Sequence, residues 1–502
     1  MYSKKVVVDL GDKMSIDRDD ELMDKLASPS NYNKSDKTQI EKDYDKLLTE
    51  KQNLLLKQNQ QYLEDLFEQN NTRPIKIRNV QMTNAQDFRD SFLQTQFSPL
   101  INDNKPITLG KLLRDTEAIS KSFMKMGLVE NLLVSYQPIQ SWNKSNTINL
   151  VPIFNIIPIK KFYAKTGTNI GNGEGDGYIQ FQFKNLFGGG ENLIFDAISG
   201  TKTSSSYLIN YNQPLFNNCN YIFENSIFVN SRKFDWINSE VHQKGLTTKI
   251  FTQFDKLSTF LNHEFIMENC WKILNNKSSK ANDVIYQSGS NFKSSIIYNL
   301  TYDSRNNQHL PTVGKFCRFG LEFNGLLKAI KTPFIKTILE TQFTIPIFKN
   351  HSLIVSNKSG ILFPLNNSSY ILDRFFIGGP NDVRSFTLNG LGPKSYNSSI
   401  GGDVFLNGGI SFISPIPFLK NNLESGFRLH NFINYGKLIP MNNDLTSTIK
   451  QFRSEYSVSA GLGILFNHPM ARFELNFILP LTVHERDYTR KGLQYGIGAS
   501  FL

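Results

Sequence analysis

The chain has little that a catalytic or disulfide-stabilised protein needs. Its 502 residues include three cysteines, Cys219, Cys270 and Cys317. The number is odd and no CxxC spacing occurs, which argues against a disulfide framework and a thiolate zinc site. Cys317 falls on the apolar side of an alternating segment, where it reads as a small hydrophobe. The seven histidines are dispersed, and neither HExxH nor GxSxG occurs. No metal, no cofactor and no enzymatic reaction is therefore expected. No run approaches the ~18 apolar residues of a spanning helix. The opening MYSKKVVVDLGDKMSIDRDDE has no secretory core, because Val6–Val8 is cut short by Asp9. For a membrane barrel, that sets the expectation of an organelle entered from the cytosol.

What is present points elsewhere. There are 40 Phe and 19 Tyr, yet the mean hydropathy is −0.32. A membrane barrel reconciles these values, since only alternate strand residues meet lipid. The net charge is +11; residues 1–72 hold 11 Lys/Arg against 15 Asp/Glu, or −4, leaving +15 for the remainder. A basic body raises the possibility of nucleic acid. Here the cations are scattered among strands, so a polar lumen and polar loops are expected, with no nucleic-acid partner.

Three regions follow. Residues 1–72 form a polar, partly disordered arm, in which Ile40, Tyr44, Leu47, Leu54, Leu55, Tyr62 and Leu66 fall near helical spacing. Residues 73–157 read as a small α/β domain. Ile75–Val80 is a strand, 85–98 a helix, and a second helix from about Thr108 carries Leu112, Ile119, Phe123 and Met126 on one face until Gly127 stops it. Strands Leu132–Gln137 and Thr147–Ile156 complete it.

From residue 158 to the end the period is two. Ile179, Phe181 and Phe183 alternate with Gln180, Gln182 and Lys184. Arg318 and Glu322 share one face; Cys317, Phe319, Leu321 and Phe323 share the other. Arg472, Glu474 and Asn476 alternate with Phe473, Leu475, Phe477 and Leu479. Sixteen such strands fit, beginning near Lys161, Tyr178, Glu191, Ser205, Tyr221, Glu240, Asn262, Ser295, Lys315, Phe334, His351, Val404, Ser425, Glu455, Ala471 and Gln494. That allows about 21 residues per strand with its connection, which suits tilted spanning strands of about 9–11 residues. The fold class is thus all-β, a 16-stranded antiparallel transmembrane barrel behind one α/β domain. A soluble sandwich also alternates, but not over sixteen strands without a helical layer. Gly171–Gly177 (GNGEGDG) lacks the strand–helix context of a phosphate loop and reads as the turn joining the first two strands.

Residues 374–393, RFFIGGPNDVRSFTLNGLGP, join Gly378 and Gly379 to Val383, Arg384, Ser385 and Phe386. No enzyme motif explains the combination. It resembles the inward-folded loop of the outer-membrane barrel assembly superfamily, to which bacterial BamA belongs. The resemblance implies that Arg384 anchors the loop tip to the inner wall, with the glycines supplying a tight reversal. The family's third tetrad residue is Gly, whereas this chain has Ser385. Bacterial relatives place a Glu where Ser411 precedes Pro415-Ile-Pro417, and an Asp where Asn434 stands. Asn434 shares parity with Arg428 and His430 and should face the lumen. The expected partners of Arg384 are therefore Asn434 or Ser411, with Asp403 as a carboxylate alternative.

Three further stretches carry the resemblance. Tyr302–Asn306 with Leu310–Gly314 is similar to a strand–turn–strand segment of the superfamily, and Asp303 and Arg305 are expected to pair there. The order of elements in 73–157 resembles a single POTRA domain. Gln494, Gly496, Ala499 and Phe501 occupy the places of a mitochondrial β-signal. Together with Asn185–Gly189 and the missing leader, these features look like the central barrel subunits of the mitochondrial sorting and assembly machinery.

The resemblance implies a membrane insertase that folds β-barrel precursors into the mitochondrial outer membrane, with the POTRA-like domain in the intermembrane space. The lateral gate would lie between a first strand holding Lys161, Tyr163 and Lys165 and a last strand holding Gln494 to Phe501. Implied partners are barrel precursors, membrane lipid, peripheral accessory subunits and an inner-membrane contact-site complex. A polypeptide- or solute-conducting channel of the same superfamily is the alternative reading.

Overall fold

The computed structural model describes residues 51–498 except 53, 60, 63, 66–67, 102–105, 140–146, 172–173, 255–259, 349, 367, 418–425, 443–444, 468–471 and 485. The chain divides into two compact units, Met1–Arg73 with Thr108–Gly110, and Pro74–Ile107 with Lys111–Leu502. In the first, the described residues between 51 and 70 are helical, with Leu54, Leu55 and Tyr62 exposed. Ile40, Tyr44, Leu47 and Leu66 lie outside the described residues.

The second unit opens with the α/β domain. Helices α1 (Asp90–Ile101) and α2 (Leu109–Lys125) pack on a sheet whose strand Ile148–Pro158 pairs in parallel with Pro74–Ile77 and Gln81–Thr83, and antiparallel with Val129–Ile139. Phe92, Phe97, Leu112, Ile119, Phe123 and Phe154 fill the space between. Helix α1 starts at Asp90 and not at 85, because residues 85–89 turn to meet the barrel. Helix α2 ends as its glycine dictates. Gly127 takes φ +63°, the Leu128 amide donates to the Phe123 carbonyl and the Gly127 amide to that of Met124, so the last carbonyls are satisfied. Met126 lies just past the helix and is half-buried.

The rest is one 16-stranded antiparallel sheet from Phe162–Gly171 to Gly492–Gly498. Every strand expected from the alternation is present; the eighth begins at Gly289, six residues early, and the second at Glu174. The burial is inverted relative to a soluble protein. On the fifteenth strand (Arg472–Thr482), Phe473, Leu475, Phe477 and Leu479 are 39–54% exposed while Arg472, Glu474 and Asn476 are at most 5% exposed. A greasy exterior and a polar interior suit lipid outside and water inside. No described helix is long and apolar enough to cross a membrane, which says nothing about strands. Among the described residues, no pairing joins the first strand to the sixteenth.

Since the α/β domain ends where the first strand begins, odd strands run away from it. The connections 365–403, 440–456 and 483–491 all leave strands of odd number, so they share the far end of the barrel.

Candidate functional site

The connection between the eleventh strand (His351–Pro364) and the twelfth (Val404–Pro415) folds back into the lumen. Gly378 and Gly379 take φ +106° and +135°, a backbone only glycine adopts freely, and reverse the chain. Asp382 fixes this turn by accepting from the Gly378 amide at 2.8 Å and from the Asn407 side chain. Val383, Phe386 and Leu391 then bury themselves with Phe334, Phe375, Phe405 and Leu438 in a small apolar core inside the barrel.

That core delivers Arg384 to the adjoining inner wall, where its side chain is wholly inaccessible. The guanidinium forks onto Glu474 of the fifteenth strand, with Nε donating to Oε2 at 3.0 Å and Nη2 to Oε1 at 3.2 Å. Nη1 donates to Asn434 Oδ1 at 3.2 Å, and the guanidinium carbon sits 4.7 Å from the Phe432 ring centroid. Arg472 and Asn476 also hold Glu474, the latter through Nδ2 at 2.8 Å. Two cations and an amide thus compensate one buried carboxylate.

Of the expected partners, Asn434 is one. Ser411 is not: its hydroxyl lies 3.0 Å from His430 Nε2, one residue removed from the ion pair. Asp403 is not either. It is the last residue of the loop, just before the twelfth strand, where its carboxylate accepts from the Met441 amide at 2.9 Å. Glu474 was not among the expected partners, because it lies on the fifteenth strand, two strands beyond Asn434 and outside every motif position. The signal was its place on the wet face between Arg472 and Asn476.

The same loop reaches the last strand. Ser385, at φ +76°, donates its amide toward Gln494 Oε1 at 3.4 Å and its hydroxyl to the Arg490 carbonyl at 3.1 Å. The Arg490 amide returns to Ser385 at 2.9 Å, and Thr387 and Tyr488 exchange backbone bonds with this limb. The tip is therefore stitched to the connection that feeds the sixteenth strand. Gln494 and Gly496 are buried toward the lumen; Ala499 and Phe501 lie outside the described residues.

A second tether holds the loop's first limb. Asp373 pairs with Lys272 at 2.6 Å, with both side chains under 10% exposed, and its carbonyl accepts from Lys336 at 2.8 Å. Neither residue belongs to a sequence motif. Elsewhere, Arg305 forks onto Asp303, with Nη2–Oδ2 at 2.9 Å, as its segment suggested. Among the described residues no cluster is placed to hold a metal.

Across the seam, Tyr163 is half-buried beneath the Lys184 ammonium and Lys165 is exposed. Lys161 precedes the first strand and is committed to the α/β domain, pairing with Asp87 at 2.6 Å. Its side chain is a contact to that domain, while its carbonyl accepts from the Lys184 amide at 2.7 Å and so continues the pairing of the first two strands. Beside it the turn Asn185–Gly190 docks the same domain: the Arg89 amide donates to the Gly188 carbonyl at 2.9 Å, Asn185 Nδ2 to the Asp87 carbonyl at 2.9 Å, and Arg89 pairs with the buried Glu191 at 3.2 Å.

Residues 185–501 match the Omp85 superfamily domain. The chain belongs to the Omp85 superfamily. It is 30% identical over 482 residues to the sorting assembly machinery 50 kDa subunit of Saccharomyces cerevisiae, covering 87% of this chain and 96% of that one. It is 27% identical over 405 residues to the sorting and assembly machinery component 50 homolog of Homo sapiens, covering 79% and 85%. The fold is also that of BamA from Haemophilus ducreyi lacking POTRA domains 1–3, with TM-score 0.69, 13% identity and 84% of each chain covered. The resemblance read from the Arg384 loop and the alternating strands thus holds for this Omp85 chain.

Proposed function

We propose that this Omp85 chain folds and inserts β-barrel precursors into the mitochondrial outer membrane, and that it does so at the seam between its first and sixteenth strands. The observation that carries this reading is the seam itself. The sixteenth strand, Gly492–Gly498, pairs on one side with the fifteenth, while among the described residues the first strand offers an edge with no partner. An open edge is a template for an incoming strand: main-chain hydrogen bonds supply affinity and alternate side chains supply selection. The precursor's gain is the closure of its own edges and the burial of its apolar face in lipid. No nucleotide and no covalent step is required.

In this reading the 73–157 domain is a POTRA module in the intermembrane space, receiving precursors before they meet the edge. The names of the relatives support a setting among accessory subunits of a sorting and assembly complex. The infolded loop keeps the lumen filled and holds the last strand through Ser385 and Gln494 while the edge is offered.

The test is a set of cysteine pairs, one in 163–167 and one in 493–497, in a background with Cys219, Cys270 and Cys317 replaced. Oxidation should block release of radiolabelled barrel precursors and reduction should restore it. Unchanged assembly by the fully cross-linked protein would exclude the seam as the working site.

A further inference from the structure

Helix α3 (Leu445–Arg453) belongs to the connection between the thirteenth strand (Phe427–Ile439) and the fourteenth (Ser457–Asn467). It lies against the outside of the barrel. On the twelfth strand, Ile410 marks the outward face at 48% exposed, yet Val404, of the same parity, is only 9% exposed. On the thirteenth, Ile433 is outward at 51%, yet Lys437 and Ile439 are 4% exposed. The cover is α3 and the turn behind it. Lys437 Nζ donates to Ser454 Oγ at 2.5 Å and to the Glu455 carbonyl at 3.0 Å, which pins the helix's end to the wall.

The helix does not seal flat. Between it and the wall runs a groove of about 570 Å³, lined chiefly by Leu339, Ile361 and Leu406 from the strands and Ile449, Phe452 and Arg453 from α3. That is several times the ~150 Å³ that admits a benzene ring. Ile449 stays 54% exposed and the neighbouring Leu339 and Ile361 are 40% and 48% exposed, so the groove is continuous with the greasy band of the exterior. The last turn of α3 carries two cations, Lys450 and Arg453, both exposed. An amphipathic helix with apolar residues toward the wall and cations at its end sits where acyl chains meet headgroups.

We propose that this groove is a lipid site that holds an acyl chain of an anionic glycerophospholipid, with Lys450 and Arg453 binding its phosphate. The inference rests on the outer wall lying in a membrane and is independent of what the seam does. The lining favours a hydrocarbon chain over a polypeptide: it offers an apolar floor, and among the described residues its one cation, Arg453, stands at the helix end with Lys450 one turn before it, as a single headgroup demands.

The experiment uses the full chain in phosphatidylcholine nanodiscs containing phosphatidylglycerol as the probe, with retained lipid counted by native mass spectrometry after release. The wild type should retain phosphatidylglycerol in preference to phosphatidylcholine. Lys450→Gln with Arg453→Gln should weaken that preference about fivefold per charge removed, while Lys328→Gln with Lys331→Gln, exposed cations elsewhere, should not. Ile361→Trp, which fills the groove from the wall, should lose both lipids. Equal retention of the two lipids by wild type, or no change in the Lys450/Arg453 variant, would overturn the site. So would a photocrosslinker at Ile449 that captures protein and no lipid. Precursor assembly is not part of the readout, so failure here and failure of the seam are separable.

Discussion

Arg384 and Glu474 form a forked ion pair that no solvent reaches, with both side chains 0% exposed and the shortest N–O distance 2.9 Å. One partner sits at the tip of a loop and the other on a strand 90 residues later. Charges so placed have left water, and their mutual attraction must offset that cost together with Asn434, Arg472 and Asn476. Removing either partner strands the other, at about 3–5 kcal/mol. Arg384→Ala should therefore free the loop tip and raise the rate of proteolysis within 378–390. Arg384→Lys should recover only part of the loss, since an ammonium cannot fork and cannot also reach Asn434. A double-mutant cycle with Glu474→Gln should show strong coupling; additive single effects would mean the pair does not hold the loop.

Ser385 carries a different kind of strain. It has φ +76°, a region where a side chain costs roughly 1–2 kcal/mol. Its hydroxyl recovers about 0.5–1.5 kcal/mol by donating to the Arg490 carbonyl. The two nearly cancel, so Ser385→Gly should shift thermal stability little. Ser385→Val keeps the strain and drops the bond. It should be clearly less stable than either, as measured by the midpoint of the heat-induced mobility shift on electrophoresis. Equal midpoints for Val and Gly would show that φ at this position carries no cost.

These two residues also mark what the sequence could disclose. Alternation alone placed all sixteen strands, because period-two polarity is a direct consequence of having lipid on one side and water on the other. It also put Asn434 and Glu474 on luminal faces. What it could not supply was which strand lies beside the loop tip. Proximity across a lumen depends on the sheet's register and curl, which no local pattern encodes, so Ser411 and Asp403 were expected beside Arg384 and Glu474 was not. Asp373 and Lys272 were illegible for the same reason: neither belongs to a motif, and 101 residues separate them. Helix α1 began late because its first residues, up to Arg89, answer to the barrel turn and not to helical propensity.

The Asn185–Gly190 turn predicts a lever on the α/β domain. Gly188 has φ +79°, and a Cβ there would lie 2.8 Å from the Arg89 amide nitrogen, so backbone and not a movable side chain stands in the way. Gly188→Ala should separate the turn from residues 87–89 without disturbing either core. Hydrogen exchange should speed up at the Arg89 amide and at Gly189, which donates to Glu191 at 2.9 Å, while Phe154 and the barrel strands stay protected. Glu191→Gln should give a milder version, since it keeps an acceptor for Gly189 but loses the Arg89 pair. Unchanged exchange at Arg89 in Gly188→Ala would show that this turn does not hold the domain.

The Asp373–Lys272 pair makes the loop's first limb independent of Arg384. Burial alone would push the Asp373 carboxyl up, but Lys272 and Lys293 around it outweigh burial and hold it below its ordinary value. The sign follows: a depressed carboxyl contributes stability that is present above the unfolded value of about 3.9 and is lost as pH falls through its lower folded value. The limb should therefore be insensitive to pH near neutrality and loosen only in acid. Asp373→Asn should loosen it at every pH, because Lys272 is left buried beside a neutral amide, at about 3–5 kcal/mol. Limited proteolysis between 365 and 376 reads this directly. Cleavage there should rise in Asp373→Asn while the 378–390 tip, held by Glu474, stays resistant. If both segments open together, the loop is a single cooperative unit, and the two tethers cannot be released one at a time.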